Sequence, residues 1–386
     1  MTKLTLQGIV GMVIALGLLL GGNSATADKK LAIDQVKGDL SVIVLGSGGP
    51  IATSAGRASA GYLVFVEGQP KILMDVGGGV FQRLAESGAN IPDLDIILLS
   101  HLHIDHMGDL SPIIKTTYFH ARGKNLNPDS GQSFPPGRTA PIRIYGPDEN
   151  GIGFPPSVFP AATEPQYPPT TGFVHDHYDL NEGSDRYLNI FTRAIRGGIF
   201  GVQAFDYSPN LGDQMQTILD EDGLVVKIIA VNHGPNALVP ALAFRIEYKG
   251  KSIVYSGDTN SATDNMIVLA QDTDVLIYDT AIMDDAPSPE DDPVFFALHT
   301  TPTRLGEVAA ASGAKQLILS HITPVTEGRL NEVKNIVRTQ GYRGKVQAAH
   351  DLMVINVGAQ DRNEHHSADR HKRQAKQGLS PAWHQP

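Results

Sequence analysis

The sequence has no cysteine in 386 residues, a single tryptophan and only 6% aromatic residues. The missing thiols exclude disulfide frameworks, thiolate zinc sites, iron–sulfur clusters and a cysteine nucleophile. Any metal held by this chain must be held by His and carboxylate. Positive charge is also short. Lys and Arg number 31 against 41 Asp and Glu, for a net charge of −10. Broad electrostatic binding to nucleic acid needs a basic surface, so this balance argues against it. A charged fraction of 19% excludes both a polytopic membrane protein and a fully disordered chain. What is plentiful is apolar side chains (41%), enough for a sizeable core, together with 14 His, 40 Gly and 25 Pro.

One long apolar run stands near the start. Lys3 is the only charge before Asp28, and Gly8 to Leu20 is apolar. Ala25-Thr26-Ala27 then fits the small-x-small rule for signal cleavage. The run is shorter than the roughly 20 residues that span a bilayer. Residues 1–27 are therefore expected to be a Sec-type export signal cut after Ala27. The expected destination is the periplasm or the medium, with no stable membrane association afterwards. With no cysteine at the cut, lipid modification there is excluded.

Along the rest of the chain, apolar runs alternate with helical patterns. Residues 39–47 read as a strand, and 60–66 with 70–75 as a hairpin. The Ile/Leu run from Asp93 to Ser100 suits a strand buried on both faces. Residues 224–231, 241–248, 252–255, 274–278 and 316–320 read as further strands, as do 345–349 and 352–356. Helices are expected from the triple glycine at 77–79 to about Ser87, then to about His120, over 302–312 and over 330–340. This makes a mixed β/α domain over 28–358. Residues 121–141 read as a loop, 150–186 as an irregular proline-rich surface insertion, and 359–386 as a disordered polar tail. There is a weak internal echo. Ile96–Leu99 and Leu317–Leu319 are both apolar and both run into Ser-His, which suggests a site along one sheet edge.

The chemistry concentrates in His101-x-His103-x-Asp105-His106, directly after a buried strand. Neutral imidazole and carboxylate suit zinc and similar divalent ions. His101 and His103 converge on one point, and Asp105 and His106 address a second nearby, so the cluster suggests two metals. His233 precedes Gly234-Pro235 at a strand end. Asp258 follows Gly257, and His321 ends a strand.

This His-x-His-x-Asp-His pattern resembles the signature of the metallo-β-lactamase superfamily. The likeness runs over about residues 40–357 and is greatest to the ribonuclease Z, phosphodiesterase and arylsulfatase branch. It is carried by Gly46-Ser47-Gly48-Gly49-Pro50, Asp75-Val76-Gly77, Tyr145-Gly146-Pro147 and Ser256-Gly257-Asp258-Thr259. The resemblance implies an αββα four-layer sandwich. It implies that His101, His103 and His233 bind a first metal, that Asp105, His106 and His321 bind a second, and that Asp258 bridges them. Zn2+ is the first expectation, with Mn2+ or Fe2+ as alternatives. Asp105 would also handle the attacking water. His299, in His299-Thr300-Thr301, stands where that branch has a His that assists proton transfer. Members of the branch are often dimers, so a homodimer is a further expectation.

Other histidines earn less. His175-Asp176-His177 reads as a solvated stretch of the insertion, and His350-Asp351 as structural. His365, His366 and His371 belong to the tail. Asp75 reads equally well as a support for the site or as a turn residue. The expected function is hydrolysis of a small phosphodiester or related sulfate or phosphonate ester. Precursor tRNA is a poor fit to an exported acidic chain whose insertion carries Asp176, Asp179, Glu182 and Asp185. A lactone or β-lactam hydrolase, and a non-catalytic periplasmic metal- or ligand-binding protein, are the alternatives.

Overall fold

Runs of Val, Ile and Leu become strands that pack on both faces, and the short helices cover what the strands leave open. The structure, a computed structural model, describes residues 30–89, 94–122, 140–153, 165–188, 201–287, 290 and 292–358. The expected export signal and polar tail lie outside the described residues, as does most of the loop read over 121–141. The chain from Ala32 onward belongs to one unit.

Two seven-stranded sheets face each other. In the first, β1 (Leu40–Gly46), β2 (Gly61–Val66) and β3 (Gln69–Val76) are antiparallel neighbours, with β14 (Met353–Asn356) outside β1. β4 (Ile96–Leu98), β5 (Ile142–Pro147) and β6 (Val202–Tyr207) then continue in parallel. The second sheet repeats this plan. β7 (Gln216–Glu221), β8 (Leu224–Ala230), β9 (Leu242–Tyr248) and β10 (Lys251–Tyr255) are antiparallel. β11 (Val275–Asp279), β12 (Gln316–Ser320) and β13 (Lys345–Ala348) continue in parallel.

Strand alternation sorts side chains into three cores. In β10, Ile253 and Tyr255 face the other sheet while Val254 faces outward. The inter-sheet core joins Val42, Tyr62, Met74 and Leu98 to Ile228, Phe244, Ile277 and Ile318. Outside the first sheet lie α1 (Val80–Ser87), α3 (Leu110–Arg122) and α4 (Thr170–Tyr178). Between β4 and α3 comes the four-residue α2 (Ile104–Met107). Outside the second lie α5 (Asn265–Leu269), α7 (Pro302–Ser312) and α9 (Leu330–Thr339). α6 (Pro293–Leu298) and α8 (Pro324–Glu327) are short connectors. This is the expected αββα layering. Among the described residues, no helix is long and apolar enough to cross a membrane.

Three differences from the sequence reading have physical causes. β4 is shorter than the run from 93 to 100: the Leu99 N–H makes the last ladder bond, to the Tyr145 carbonyl of β5, and the Ser100 N–H donates to Asp75 instead. β6 and β7 were not expected. They are edge strands whose residues are mostly half-buried or exposed, so they lack the dense apolar signal of the central strands. The insertion is not wholly irregular, since α4 buries Phe173, Val174 and Tyr178 in the core beneath the first sheet.

Phe244 is fully buried between the sheets. Phe244→Ala should cost about 3–5 kcal/mol of stability through the lost transfer energy and the cavity left behind, read as a lower midpoint of urea unfolding.

Candidate metal centre

The site forms where strands end. β4 delivers Ser100 and the turn that carries His101 and His103, and α2 presents Asp105 and His106. β8 leads to His233, β10 to Asp258, and β12 to His321. β4 and β12, the two strands of the Ser-His echo, each lie between two parallel neighbours. Two backbone features let the ligand-type residues close in. Gly257 has φ +57°, and a Cβ there would come within 2.8 Å of the Ser100 Cβ, so glycine lets Asp258 approach the His101 turn. His321 itself has φ +55°, and a Cβ on Gly49 would strike its ring at 2.7 Å.

All seven expected metal ligands are brought together, in two adjoining groups. His101, His103 and His233 form one, and Asp105, His106, Asp258 and His321 form the other. Asp258 faces both. Its Oδ1 lies 3.3 Å from His106 Nε2 and 3.2 Å from His321 Nε2, and its Oδ2 lies 4.0 Å from His233 Nε2. Asp105 Oδ2 lies 3.2 Å from His321 Nε2.

Four of the five imidazoles have one nitrogen hydrogen-bonded from outside, which leaves the other facing in; the outward Nδ1 of His321 has no hydrogen-bond partner. His106 Nδ1 donates to Asp75 Oδ2 at 2.7 Å. The Ser100 hydroxyl donates to the same oxygen at 2.7 Å and meets His101 Nδ1 at 3.0 Å. His233 Nδ1 donates to the Leu298 carbonyl at 2.8 Å. His103 Nε2 meets the Tyr167 hydroxyl at 2.9 Å. His321 Nδ1 lies 3.4 Å from Asp279 Oδ1. Such outer partners fix which ring nitrogen keeps its lone pair.

The inward nitrogens then confront one another. His106 Nε2 and His321 Nε2 are 3.2 Å apart, and His233 Nε2 and His103 Nδ1 are 3.3 Å apart. His101 Nε2 is buried with no hydrogen-bond partner. Lone pairs that face one another in a buried space call for a cation. With only His and Asp present, the donor set fits zinc or another divalent ion of similar preference.

The electrostatics agree. Burial pushes His101 well below the ordinary histidine value, and the imidazoles of His106, His103 and His233 add to the effect. Burial takes His233 down to about 3. Burial works against protonation of His321 too, but Asp258, Asp105 and Asp279 overcome it and raise the ring to about 10. His106 goes the same way under Asp258, Asp105 and Asp75. Burial opposes ionisation of Asp105 and Asp258, yet the imidazoles beside them hold both below the usual carboxylate range.

Two family models match the chain. The one described as "Beta-lactamase superfamily domain" matches residues 201–322, and "Anti-Pycsar protein Apyc1" matches 40–127. Ribonuclease Z of Mycolicibacterium paratuberculosis is 27% identical over 324 residues, which are 83% of this chain and 99% of that one. The metallo-β-lactamase fold protein YhfI of Bacillus subtilis aligns with a TM-score of 0.55 at 20% identity, over 82% of this chain and 98% of its own. Human tRNase Z, short form, aligns with a TM-score of 0.54 at 21% identity, over 82% and 99%. Residues 201–322 match a β-lactamase superfamily domain, and the two sheets with their flanking helices form the metallo-β-lactamase αββα fold. The similarity to the ribonucleases Z extends over most of the chain.

On this superfamily scaffold, sequence reasoning missed two residues that touch the site. Asp279 ends β11, and its Oδ2 accepts from His299 Nδ1 at 2.9 Å. The signal was a carboxylate at the end of a buried strand. Tyr167 comes from the proline-rich insertion, where nothing in the sequence marks it. Asp75 proves to be a support for the site. Asp351 is structural, as read: it accepts from Ser47, from the Ala58 N–H and from Arg83. His175 is exposed on α4 and His177 caps its own helix through the Phe173 carbonyl; neither joins a donor group.

Two outcomes follow from the outer partners. Asp75→Ala should weaken metal binding about 10–100-fold, measured by competition with a chromophoric chelator. Without metal, His321, raised to about 10, holds a proton at pH 7, and the carboxylates around His106 push that ring in the same direction. Metal must displace the His321 proton, so zinc titration at pH 7 should release at least one, read by calorimetry in buffers of different ionisation enthalpy. Raising the pH through 10 should diminish the release.

Proposed function

We propose that this metal-dependent hydrolase of ester bonds is a dinuclear enzyme that cleaves a small phosphodiester or a related sulfate ester. The observation that carries the reading is Asp258, with one oxygen toward His106 and His321 and the other toward His233. His101, His103 and His233 would hold one ion. Asp105, His106 and His321 would hold the second, with Asp258 between. A pair of divalent ions in these groups, zinc first, would supply Lewis acidity and make hydroxide available near neutral pH.

The chain's own residues supply the proton handling. Asp105 stays ionised beside two imidazoles and accepts the proton of the attacking water. His299 delivers a proton to the leaving oxygen. Its ring flanks both donor groups, 5.9 Å from the ring of His233 and 5.3 Å from that of His321. Asp279 accepts from Nδ1, which orients the ring. The N-terminal end of α7 fixes the segment. Thr301 caps that helix, and the Thr300 hydroxyl bonds Ser261. His299 is buried beside these groups.

The relatives' names make RNA the rival substrate. Against it stand the net charge of −10 and the acidic face of the insertion, where Asp176, Asp179, Glu182 and Asp185 have few basic neighbours. A polyanion needs the opposite field. Export of the chain by the signal at 1–27 belongs to the same proposal, since it would separate the enzyme from precursor tRNA.

The zinc-loaded protein should turn over bis-p-nitrophenyl phosphate, and Asp105→Ala should abolish it. His299→Ala should cost about 10²–10⁴-fold on an alkyl diester, whose leaving alkoxide needs a proton, and far less on the p-nitrophenyl diester, whose phenolate does not. Precursor tRNA should remain uncut. Cleavage of that RNA would overturn the substrate reading. Two bound zinc ions with turnover of a lactone or β-lactam alone would replace it, and two bound ions with no turnover of any of these would leave a binding protein.

A further inference from the structure

Among the described residues, the insertion reaches the metal-ligand cluster through the hydroxyl of Tyr167. Tyr167 lies in Pro165-Gln166-Tyr167-Pro168-Pro169, immediately before α4, and its OH stands 2.9 Å from His103 Nε2. The two rings are 5.7 Å apart. Among the five imidazoles of the cluster, His103 is turned the other way round. It presents Nδ1 to its partner His233 and Nε2 outward, whereas His101, His106 and His233 are held from outside at Nδ1.

That hydroxyl is fixed in space. Behind Tyr167, the Thr170 hydroxyl donates to the Pro147 carbonyl at 2.9 Å, and a Cβ on Gly146 would strike Thr170 at 2.4 Å, so β5 and the start of α4 are in close contact. The Thr171 N–H donates to Asp206 of β6 at 2.8 Å. The Tyr178 hydroxyl meets Ser111 of α3 at 2.9 Å, and Phe173, Val174 and Tyr178 are buried. Ahead of it, the Gln166 N–H reaches the Ile152 carbonyl, and Asn150 donates to the Ala237 and Leu238 carbonyls in the turn after His233. The prolines on both sides restrict the backbone further.

We propose that Tyr167 is a positioning residue for the first metal. Its oxygen accepts the Nε2 proton of His103, which leaves the lone pair on Nδ1 and aims it at the point shared with His101 and His233. The described part of the insertion thus acts as a brace for one metal ligand. The inference rests on the proposal that His101, His103 and His233 bind a metal, and it goes beyond that proposal by assigning a support outside every family motif.

The test is a zinc titration of the full chain against a chromophoric chelator, with the wild type, Tyr167→Phe, Tyr178→Phe and His233→Ala in parallel. His233→Ala identifies the step that belongs to the first group. In Tyr167→Phe that step should weaken about tenfold or more, the other step should hold, and the metal-free melting temperature should match the wild type. Nitrogen-15 shifts of His103 in the zinc-loaded protein should also move. Tyr178→Phe removes a hydroxyl from the same insertion and should lower the melting temperature while leaving both zinc steps intact. Equal zinc affinity in Tyr167→Phe and wild type would overturn the brace and leave the two-metal reading standing. So would a melting loss in Tyr167→Phe with both steps weakened alike. A wild type that binds no zinc at all would defeat the two-metal reading itself.

Discussion

The carboxylate of Asp75 receives four hydrogen bonds, all at 2.7 Å: from the Ser100 N–H, the Ser100 hydroxyl, the His106 ring and the Tyr255 hydroxyl. These donors come from three places. Ser100 ends the run of β4, His106 sits on α2, and Tyr255 ends β10 in the opposite sheet. One buried oxygen pair therefore sets the spacing between the sheets where the ligands gather. It also breaks the β4 ladder at Ser100, because the backbone N–H that would extend the strand is taken. Charge-assisted bonds of this kind are stronger than neutral ones, and a buried carboxylate is tolerable only when so satisfied. Asp75 has φ +54°, a conformation uncommon for a residue with a side chain. The local cost is offset by four bonds, and the site inherits its rigidity from them.

Asp279 plays the matching part in the second sheet. Its Oδ1 accepts the Ala281 N–H and lies near His321, while Oδ2 holds His299. The two aspartates sit at the ends of β3 and β11, each beside a parallel strand that runs into Ser-His. The repeated plan of the sheets thus extends to the supports. Between them, buried imidazoles and carboxylates would destabilise a metal-free chain if they faced each other uncompensated. A proton on His321, favoured by the carboxylates around it, relieves part of that strain. Cations of higher charge relieve more of it, which makes the site's own electrostatics a driving force for binding.

How much of this the sequence carried depends on distance along the chain. The His101–His106 motif was legible because four donors fall within six residues after an apolar strand. His233, Asp258 and His321 were legible because each follows a strand, with Gly234-Pro235 after His233, Gly257 before Asp258 and Ser320 before His321, and because the family pattern named them. Strands in the centres of the sheets announced themselves by unbroken apolar runs. β6 and β7 did not, since an edge strand needs only one buried face and theirs are weakly apolar. α4 was hidden differently. Its surroundings are proline-rich, its Thr170-Thr171-Gly172 start is poor in helix formers, and it is only nine residues long. Packing on β6 and the first sheet overrides that propensity. Tyr167 carried no signal because its meaning lies in a partner 64 positions away.

The ligand-type residues of this centre stand at strand ends, in the turn after β4 and on α2, and their supports come both from strand ends, Asp75 and Asp279, and from connecting segments. A ligand must keep its place to within a fraction of an ångström, which a strand end beside parallel neighbours provides. A support needs only to reach a ring nitrogen from outside, and any segment that is itself anchored will do. The Leu298 carbonyl at the end of α6, the Tyr167 hydroxyl before α4 and the Ser100 hydroxyl in a turn all meet that condition. Loops differ more than strands among relatives that share a fold. In this chain the insertion and connecting segments bring outer atoms to the same rings that the strand ends position.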